Sequence, residues 1–207
     1  MDRNESEAVF DGHIVGASFA SGDRLVAGRW HRSPFGPFAD LMWARPDGRR
    51  ILLAPTPAVR DFVARHYAFD ELALVPVRVE RSGGTIQVRA GSVELDLVPR
   101  PRGVASLMLS LRPRALRTTS AWIDFEDRAL RPLVSTLFGA GRVHTRGVTA
   151  TGTREWYAIH DFRRARARAR IDGVDLGPAA PGAPAGFGFS EFPGEPAIVR
   201  VTSVFRD

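Results

Sequence analysis

The sequence predicts a β-rich α+β protein: an antiparallel β-barrel-like sheet with two or so flanking helices. Three observations lead to this fold class. Alternating apolar and polar residues mark roughly ten short strands, turn signals rich in glycine, proline and aspartate separate them, and only two segments show helical periodicity. Successive strands joined by short turns pair antiparallel, and a barrel of about this strand number can hold one small ligand.

The first quarter of the chain predicts two β-hairpins. Residues 10–20 and 24–30 flank a Ser-Gly-Asp turn, and residues 39–44 and 50–54 flank a Pro-Asp-Gly turn. These turn residues tolerate the positive φ angles that tight hairpins require.

A helix is predicted next, from about Pro57 to Tyr67. Thr56 is placed to cap it, and proline is favoured at the first helical position. Four residues at helical spacing then form one face: Val59, Phe62, Val63 and His66.

A three-strand antiparallel meander is predicted over residues 72–79, 85–90 and 93–97. Period-two alternation gives it one buried and one solvated face. Pro76 lacks an N–H group, so we expect it at an edge or a bulge.

The second half of the chain gives more varied signals. Residues 104–111 are apolar without a clear period, which leaves helix and strand open. A strand is predicted next at 118–123, then a second helix within 126–138 that Pro132 delays or kinks, and then a hairpin of 142–151 with 153–162. A Pro/Gly-rich loop follows at 178–196, and its part around 186–190 is expected to be mobile or lid-like. A last strand is predicted at 197–205.

Composition excludes several chemistries. The chain has no cysteine, and all 29 of its basic side chains are arginine, so it has no lysine. Disulfides, thiolate chemistry and lysine Schiff bases are therefore excluded. The five histidines show no ligand spacing, so we expect neither a metal nor a cofactor.

We expect a cytoplasmic protein without a membrane partner, because no segment approaches about 18 consecutive apolar residues. The acidic residues 1–9 are expected to be disordered, and residues 10–207 to form a single β-rich domain. A homo-oligomer is possible.

The most unusual segment runs from Arg163 to Ile171, where arginine and alanine alternate. As a strand, it would place a row of arginines on one face at about 6.6–6.8 Å spacing; as a helix, it would spread them around the circumference. Strand is favoured because a strand leads into the segment and Asp172-Gly173 is a hairpin-type turn. The row could bind an anionic partner such as nucleic acid, although a solvated face is the favoured interpretation; its members are Arg164, Arg166, Arg168 and Arg170.

The stretch from Trp30 to Asp40 combines turn formers, aromatic residues and ionisable groups. Pro34 and Pro37 fix two φ angles, so the loop should be stiff. Such a loop can line the mouth of a cavity, or it can be an aromatic-plugged turn that closes a core, which is the favoured interpretation.

Within this stretch, Ser33-Pro34-Phe35-Gly36-Pro37-Phe38-Ala39-Asp40-Leu41 resembles the Gly-Pro-aromatic-x-acid-apolar segment of acetoacetate decarboxylase-like proteins. The resemblance implies a β-barrel with a central cavity, in which Asp40 takes the position of the family's cavity glutamate. It also makes Arg29 and Arg32 candidates for binding a substrate carboxylate. The family's decarboxylation uses a lysine Schiff base, and a chain without lysine cannot follow that route.

The main functional hypothesis is therefore a small-molecule-binding barrel, enzymatic or not. Asp40 with His31 or Arg32 would supply acid/base chemistry on a small oxo, enol or hydroxy compound. The remaining ligand-binding candidates are Arg29, Phe35, Phe38 and Trp43. Two alternatives stay open: a module that binds an anionic partner through the arginine row, and a structural or oligomerisation domain whose barrel interior is completely filled.

Overall fold

The structure is a computed structural model that describes residues 7–110, 146–149, 152–188 and 190–206. Within these ranges the chain forms twelve strands and two helices. In chain order they are β1 (Glu7–Ser18), β2 (Arg24–Arg32), β3 (Phe38–Ala44), β4 (Arg50–Ala54), α1 (Pro57–His66), β5 (Glu71–Leu74), β6 (Val77–Ser82), β7 (Thr85–Ala90), β8 (Val93–Pro99), α2 (Val104–Ser110), β9 (Arg146–Val148), β10 (Arg154–Ile171), β11 (Val174–Asp175) and β12 (Ala197–Arg206).

The strands form one curled sheet, a half-barrel, in the order β5-β4-β3-β2-β1-β12-β10-β8-β7-β6. Strands β9 and β11 pair with β10 beside this path. The β-rich α+β fold predicted from the sequence is confirmed. Neither described helix is long and apolar enough to cross a membrane.

One pair of strands departs from the expected antiparallel pattern. β4 and β5 are parallel, and α1 supplies the crossover that parallel neighbours require. The N-terminal cap of α1 is as predicted, because the Thr56 hydroxyl accepts a hydrogen bond from the Val59 N–H at 3.3 Å.

The hairpin turns also form where the sequence predicts them. Gly22 follows β1 with a φ of 90°, and Gly48 joins β3 to β4 with a φ of 85°. Both angles lie in the left-handed region that glycine adopts without steric cost.

Two predicted boundaries are wrong. β1 begins at Glu7, and Glu7 pairs with Arg206 of β12. Residues 7–9 therefore belong to the sheet and not to a disordered tail. The first meander strand is two strands, because Pro76 has no N–H to donate and the Val75 N–H bonds to the Ala54 carbonyl at 3.0 Å. The antiparallel β6-β7-β8 meander is confirmed.

In the second half, the apolar segment that left helix and strand open is α2 over residues 104–110. The expected hairpin is represented by β9 paired with the start of β10. The strand predicted at 118–123 and the helix predicted within 126–138 lie outside the described residues.

The main hydrophobic core occupies one face of the curled sheet. Side chains from β1 to β4 meet those from β6 to β8 and from the second half of β10. Its fully buried members include Leu25, Leu41, Leu95 and Leu97, and burying each such side chain contributes about 1.5–3 kcal/mol. The opposite face of β3, β2, β1, β12 and β10 is covered by α1 and by the long loop before β12, and the candidate site lies there.

Candidate functional site

A cavity of about 150 Å³ lies on the sheet face opposite the main core. Alternate residues of five neighbouring strands form its floor, and α1 and the loop before β12 form its roof. The strand residues that line it are Phe38, Asp40 and Met42 of β3; Arg24, Val26, Gly28 and Trp30 of β2; Phe10 and Ile14 of β1; Val199, Val201, Ser203 and Phe205 of β12; and Tyr157 and Ile159 of β10. Most of these side chains are apolar, so each polar group among them is conspicuous.

Asp40 is the buried carboxyl group of this cavity. It is only 2% exposed, and its Oδ1 accepts a hydrogen bond from Trp30 Nε1 at 3.1 Å. Its neighbours Ala39 and Leu41 point to the main core, as strand alternation requires. Burial raises the pKa of Asp40 to about 7, and the Trp30 hydrogen bond opposes this shift without reversing it. Near neutral pH the carboxyl group therefore exists in both its protonated and its ionised form.

Gly28 makes room for this pair. It lies opposite Asp40 on the neighbouring strand. A Cβ atom at Gly28 would lie 2.5 Å from Asp40 Oδ1 and 2.6 Å from Trp30 Nε1, closer than unbonded atoms approach. The hydrogen bond between carboxyl and indole thus depends on a residue without a side chain.

A second buried carboxyl group, Glu155, lies on the same face of β10 as Tyr157. It is fully buried, and its Oε1 accepts hydrogen bonds from the Tyr67 hydroxyl at 2.5 Å and from the Ser203 hydroxyl at 2.9 Å. The two tyrosine hydroxyls are 2.8 Å apart. Burial raises the pKa of Glu155 to about 7, against the opposing effect of its hydrogen bonds.

The loop before β12 is fastened over the cavity by a buried ion pair. Arg24 of β2 contacts Glu191 at 3.4 Å and donates hydrogen bonds to the carbonyl groups of Ala183 and Phe192. Glu191 also accepts hydrogen bonds from two backbone N–H groups of the same loop, at 3.0 and 2.8 Å. Phe187, Gly188 and Phe192 of this loop line the cavity.

The structure places two of the predicted site residues in the cavity wall. Asp40 and Phe38 line it. Phe35 is 39% exposed and lies at the rim, where its ring packs 6.3 Å from the ring of Phe38 and 5.3 Å from that of Phe62. The aromatic residues of the loop therefore close one side of the cavity. The stretch thus has features of both interpretations, a loop at a cavity mouth and an aromatic-plugged turn.

The other predicted residues lie elsewhere. His31 is exposed and forms a hydrogen bond with His13 at 3.1 Å, so the structure does not bring it to Asp40. Arg29 and Arg32 are exposed on the same strand and do not line the cavity. Trp43 packs against the main core, on the face of β3 opposite Asp40, and does not line this cavity.

The arginine row forms as a strand. Arg164, Arg166, Arg168 and Arg170 are all exposed along β10, while the intervening alanines face the main core. Acidic residues lie beside the row: Glu195 contacts Arg164 at 3.2 Å, and Asp96 and Glu94 of β8 stand opposite Arg168 and Arg170 in the strand register. These carboxylates offset part of its positive charge, and anion binding stays a prediction.

Sequence reasoning missed Tyr67, Glu155 and the Arg24–Glu191 pair. One local signal pointed to Glu155, because strand alternation places it on the same face as Tyr157 and Ile159. Nothing local connects it to Tyr67, which is 88 residues away in sequence. Among the described residues, no cluster of three or more histidine or acidic side chains could hold a metal ion.

No protein-family model matches the sequence, and no curated protein matches it. Among solved structures, the chain is similar to an acetoacetate decarboxylase from Legionella pneumophila, with a TM-score of 0.42 and 9% identity over 97% of this chain and 84% of that chain. A second acetoacetate decarboxylase structure has a TM-score of 0.49 and 8% identity over 97% of this chain and 87% of that chain. A putative AttH from Nitrosomonas europaea has a TM-score of 0.28 and 13% identity, over 99% of this chain and 39% of that chain.

The first two structures are named as acetoacetate decarboxylases, the family that the Ser33–Leu41 segment resembles, and their similarity to this chain is distant. At 8–9% identity it assigns no role to any side chain of this protein.

Proposed function

We propose that the protein binds one small, largely apolar molecule in this cavity, with an oxygen atom of the ligand hydrogen-bonded to Asp40. The observation that carries the proposal is the burial of Asp40 in an apolar cavity wall. Burying an ionisable carboxyl group opposes folding, and groups with strongly shifted pKa values cluster at functional sites. The size of the cavity supports a small ligand, since an engineered apolar cavity of about 150 Å³ binds benzene.

The chemistry of Asp40 defines the ligand's polar group. Its protonated form donates a hydrogen bond to a carbonyl oxygen, and its ionised form accepts one from a hydroxyl group. A carboxyl group whose pKa is about 7 can also exchange a proton with an enolisable carbonyl compound near neutral pH. His31 and Arg32 are not part of this proposal because both are exposed and outside the cavity.

The Trp30 indole offers a direct test, because its N–H bonds to the Asp40 carboxyl group. The protein contains four tryptophans. We would titrate ¹⁵N-labelled protein with acetophenone and with cyclohexanone and follow the indole N–H signals, assigning Trp30 through Trp30→Phe. Binding should shift the Trp30 signal saturably. Trp43 is the internal control, since its indole bonds to Asp23 at 2.7 Å on the opposite face of β3.

Two variants sharpen the test. Val26→Phe fills the cavity from β2 and should abolish the shift. Asp40→Asn keeps the shape of the side chain but does not titrate, so the pH dependence of affinity that Asp40 causes near neutral pH should disappear. An unchanged Trp30 signal with every compound, or equal shifts of Trp30 and Trp43, would show that the proposal is wrong.

A further inference from the structure

The hydrogen-bonded group of Glu155, Tyr67, Tyr157 and Ser203 forms a second polar end of the same cavity. Tyr67, Tyr157 and Ser203 line the cavity, and Glu155 lies behind them without lining it. The two carboxyl groups stand on strands separated by β2, β1 and β12, with Asp40 on β3 and Glu155 on β10. Both strands contribute lining residues to the one cavity.

The surface between the two ends is mostly apolar, although the ion-paired Arg24 and Glu191 also line the cavity. Val26 of β2, Ile14 of β1 and Val201 of β12 occupy the intervening strands and line the cavity. A ligand lying along this face meets a carboxyl group at one end, hydrocarbon along its length and hydroxyl groups at the other end.

The hydroxyl end is incompletely satisfied. The hydroxyls of Tyr67 and Ser203 both bind Oε1, and Oε2 is buried without a hydrogen-bond partner among the described residues. An unsatisfied buried carboxyl oxygen is costly, so a purely structural role leaves this arrangement unexplained. Glu155 does not line the cavity, so a ligand would meet this network through the tyrosine and serine hydroxyls and not at Oε2.

The direction of the hydrogen bonds defines what this end recognises. Tyr67 gives its hydroxyl proton to Glu155, and the hydroxyl of Tyr157 bonds to Tyr67 and to Glu155, so both tyrosine protons are used inside the network. The tyrosine oxygens therefore act as acceptors toward any further group. An acceptor end favours a ligand hydroxyl, which can donate.

We propose that the natural ligand is an apolar molecule with two polar ends, an oxygen that meets Asp40 and a hydroxyl group that meets the Tyr67–Tyr157 pair. This inference rests on the proposed function and adds the second recognition group. It defines the ligand class as hydroxylated carbonyl compounds or diols with a hydrocarbon body.

The chain contains only two tyrosines, and both belong to this network. Labelling tyrosine with ¹³C at the ring carbon that bears the hydroxyl therefore gives signals from this end of the cavity alone. The probes are acetophenone and para-hydroxyacetophenone, which differ by one hydroxyl group. In wild-type protein both compounds should shift the Trp30 indole signal, and only para-hydroxyacetophenone should shift a tyrosine signal strongly.

Tyr157→Phe removes one hydroxyl group and keeps the ring. It should weaken binding of para-hydroxyacetophenone by about threefold to tenfold, as expected for one hydrogen bond, and leave acetophenone affinity unchanged. An equal loss for both compounds would indicate a structural role of the hydroxyl and would overturn the inference.

The outcomes separate the two proposals. If neither compound shifts the Trp30 signal, the proposed function is wrong, and so is the inference of a second recognition group that rests on it. If both compounds bind but produce identical tyrosine signals in wild-type protein, the cavity binds ligands and only the inference is overturned. This wild-type comparison decides the question even if Tyr157→Phe does not fold.

Discussion

Replacing Asp40 with asparagine tests the electrostatic cost of the candidate site. The ordinary pKa of this carboxyl group is 3.8, and burial raises it to about 7 in the folded protein. A raised pKa means that the folded state binds the proton more tightly than the unfolded state. The stability that Asp40 contributes is therefore fully present below the unfolded pKa and is lost as the pH rises through about 7.

The difference between the two pKa values gives the magnitude. At 1.36 kcal/mol per pH unit, a change from 3.8 to about 7 corresponds to about 4 kcal/mol. Asparagine cannot ionise, so Asp40→Asn should gain stability relative to wild type as the pH increases. The gain should approach about 4 kcal/mol near pH 7 and stay constant above it.

Urea denaturation at a series of pH values measures this difference. Glu155 has a similarly raised pKa, but it is present in both proteins and cancels in the comparison. Asp61→Asn is the control, because Asp61 is an exposed carboxyl group paired with Arg60 and its pKa is lowered. Its stability difference should be flat above about pH 5. A flat difference for Asp40→Asn as well would refute the reasoning.

Three further predictions follow from the geometry. Gly28→Ala should destabilise the protein by about 1–3 kcal/mol in denaturant unfolding, because the added methyl would lie 2.5 Å from the carboxyl oxygen that accepts the indole N–H; Gly194→Ala, in open space, should be nearly neutral. Binding of DNA, RNA or heparin to the arginine row should vanish by physiological salt, about 0.15 M, in a salt titration. Arg24→Met should increase hydrogen exchange in the loop before β12, since it removes the ion pair and two hydrogen bonds that fasten that loop.

Each of these predictions has a contrary result. Equal stability of the two glycine variants would show that Gly28 makes no essential room. Nucleic-acid affinity that persists at physiological salt and drops in Arg166→Ala with Arg168→Ala would make the row a binding site. Unchanged exchange in the loop would mean that its own packing, and not Arg24, holds it over the cavity.

Local sequence patterns were sufficient for much of the fold. The Pro-Asp-Gly turn, the Thr56 cap of α1 and the alternating arginines of β10 were all readable because each depends on residues within a few positions of one another. The parallel pairing of β4 with β5 could not be predicted from local sequence, because strand partners depend on how the whole sheet curls.

The candidate site divides in the same way. The sequence by itself determined that this protein has no lysine or cysteine chemistry, and it directed attention to Phe38 and Asp40. Only the tertiary structure decided which strand face meets the cavity, and it separated Asp40 from His31. It also joined Glu155 to Tyr67 across 88 positions of sequence. Periodicity shows that a strand has two faces, but when both faces are buried, only packing against distant segments decides what each face meets.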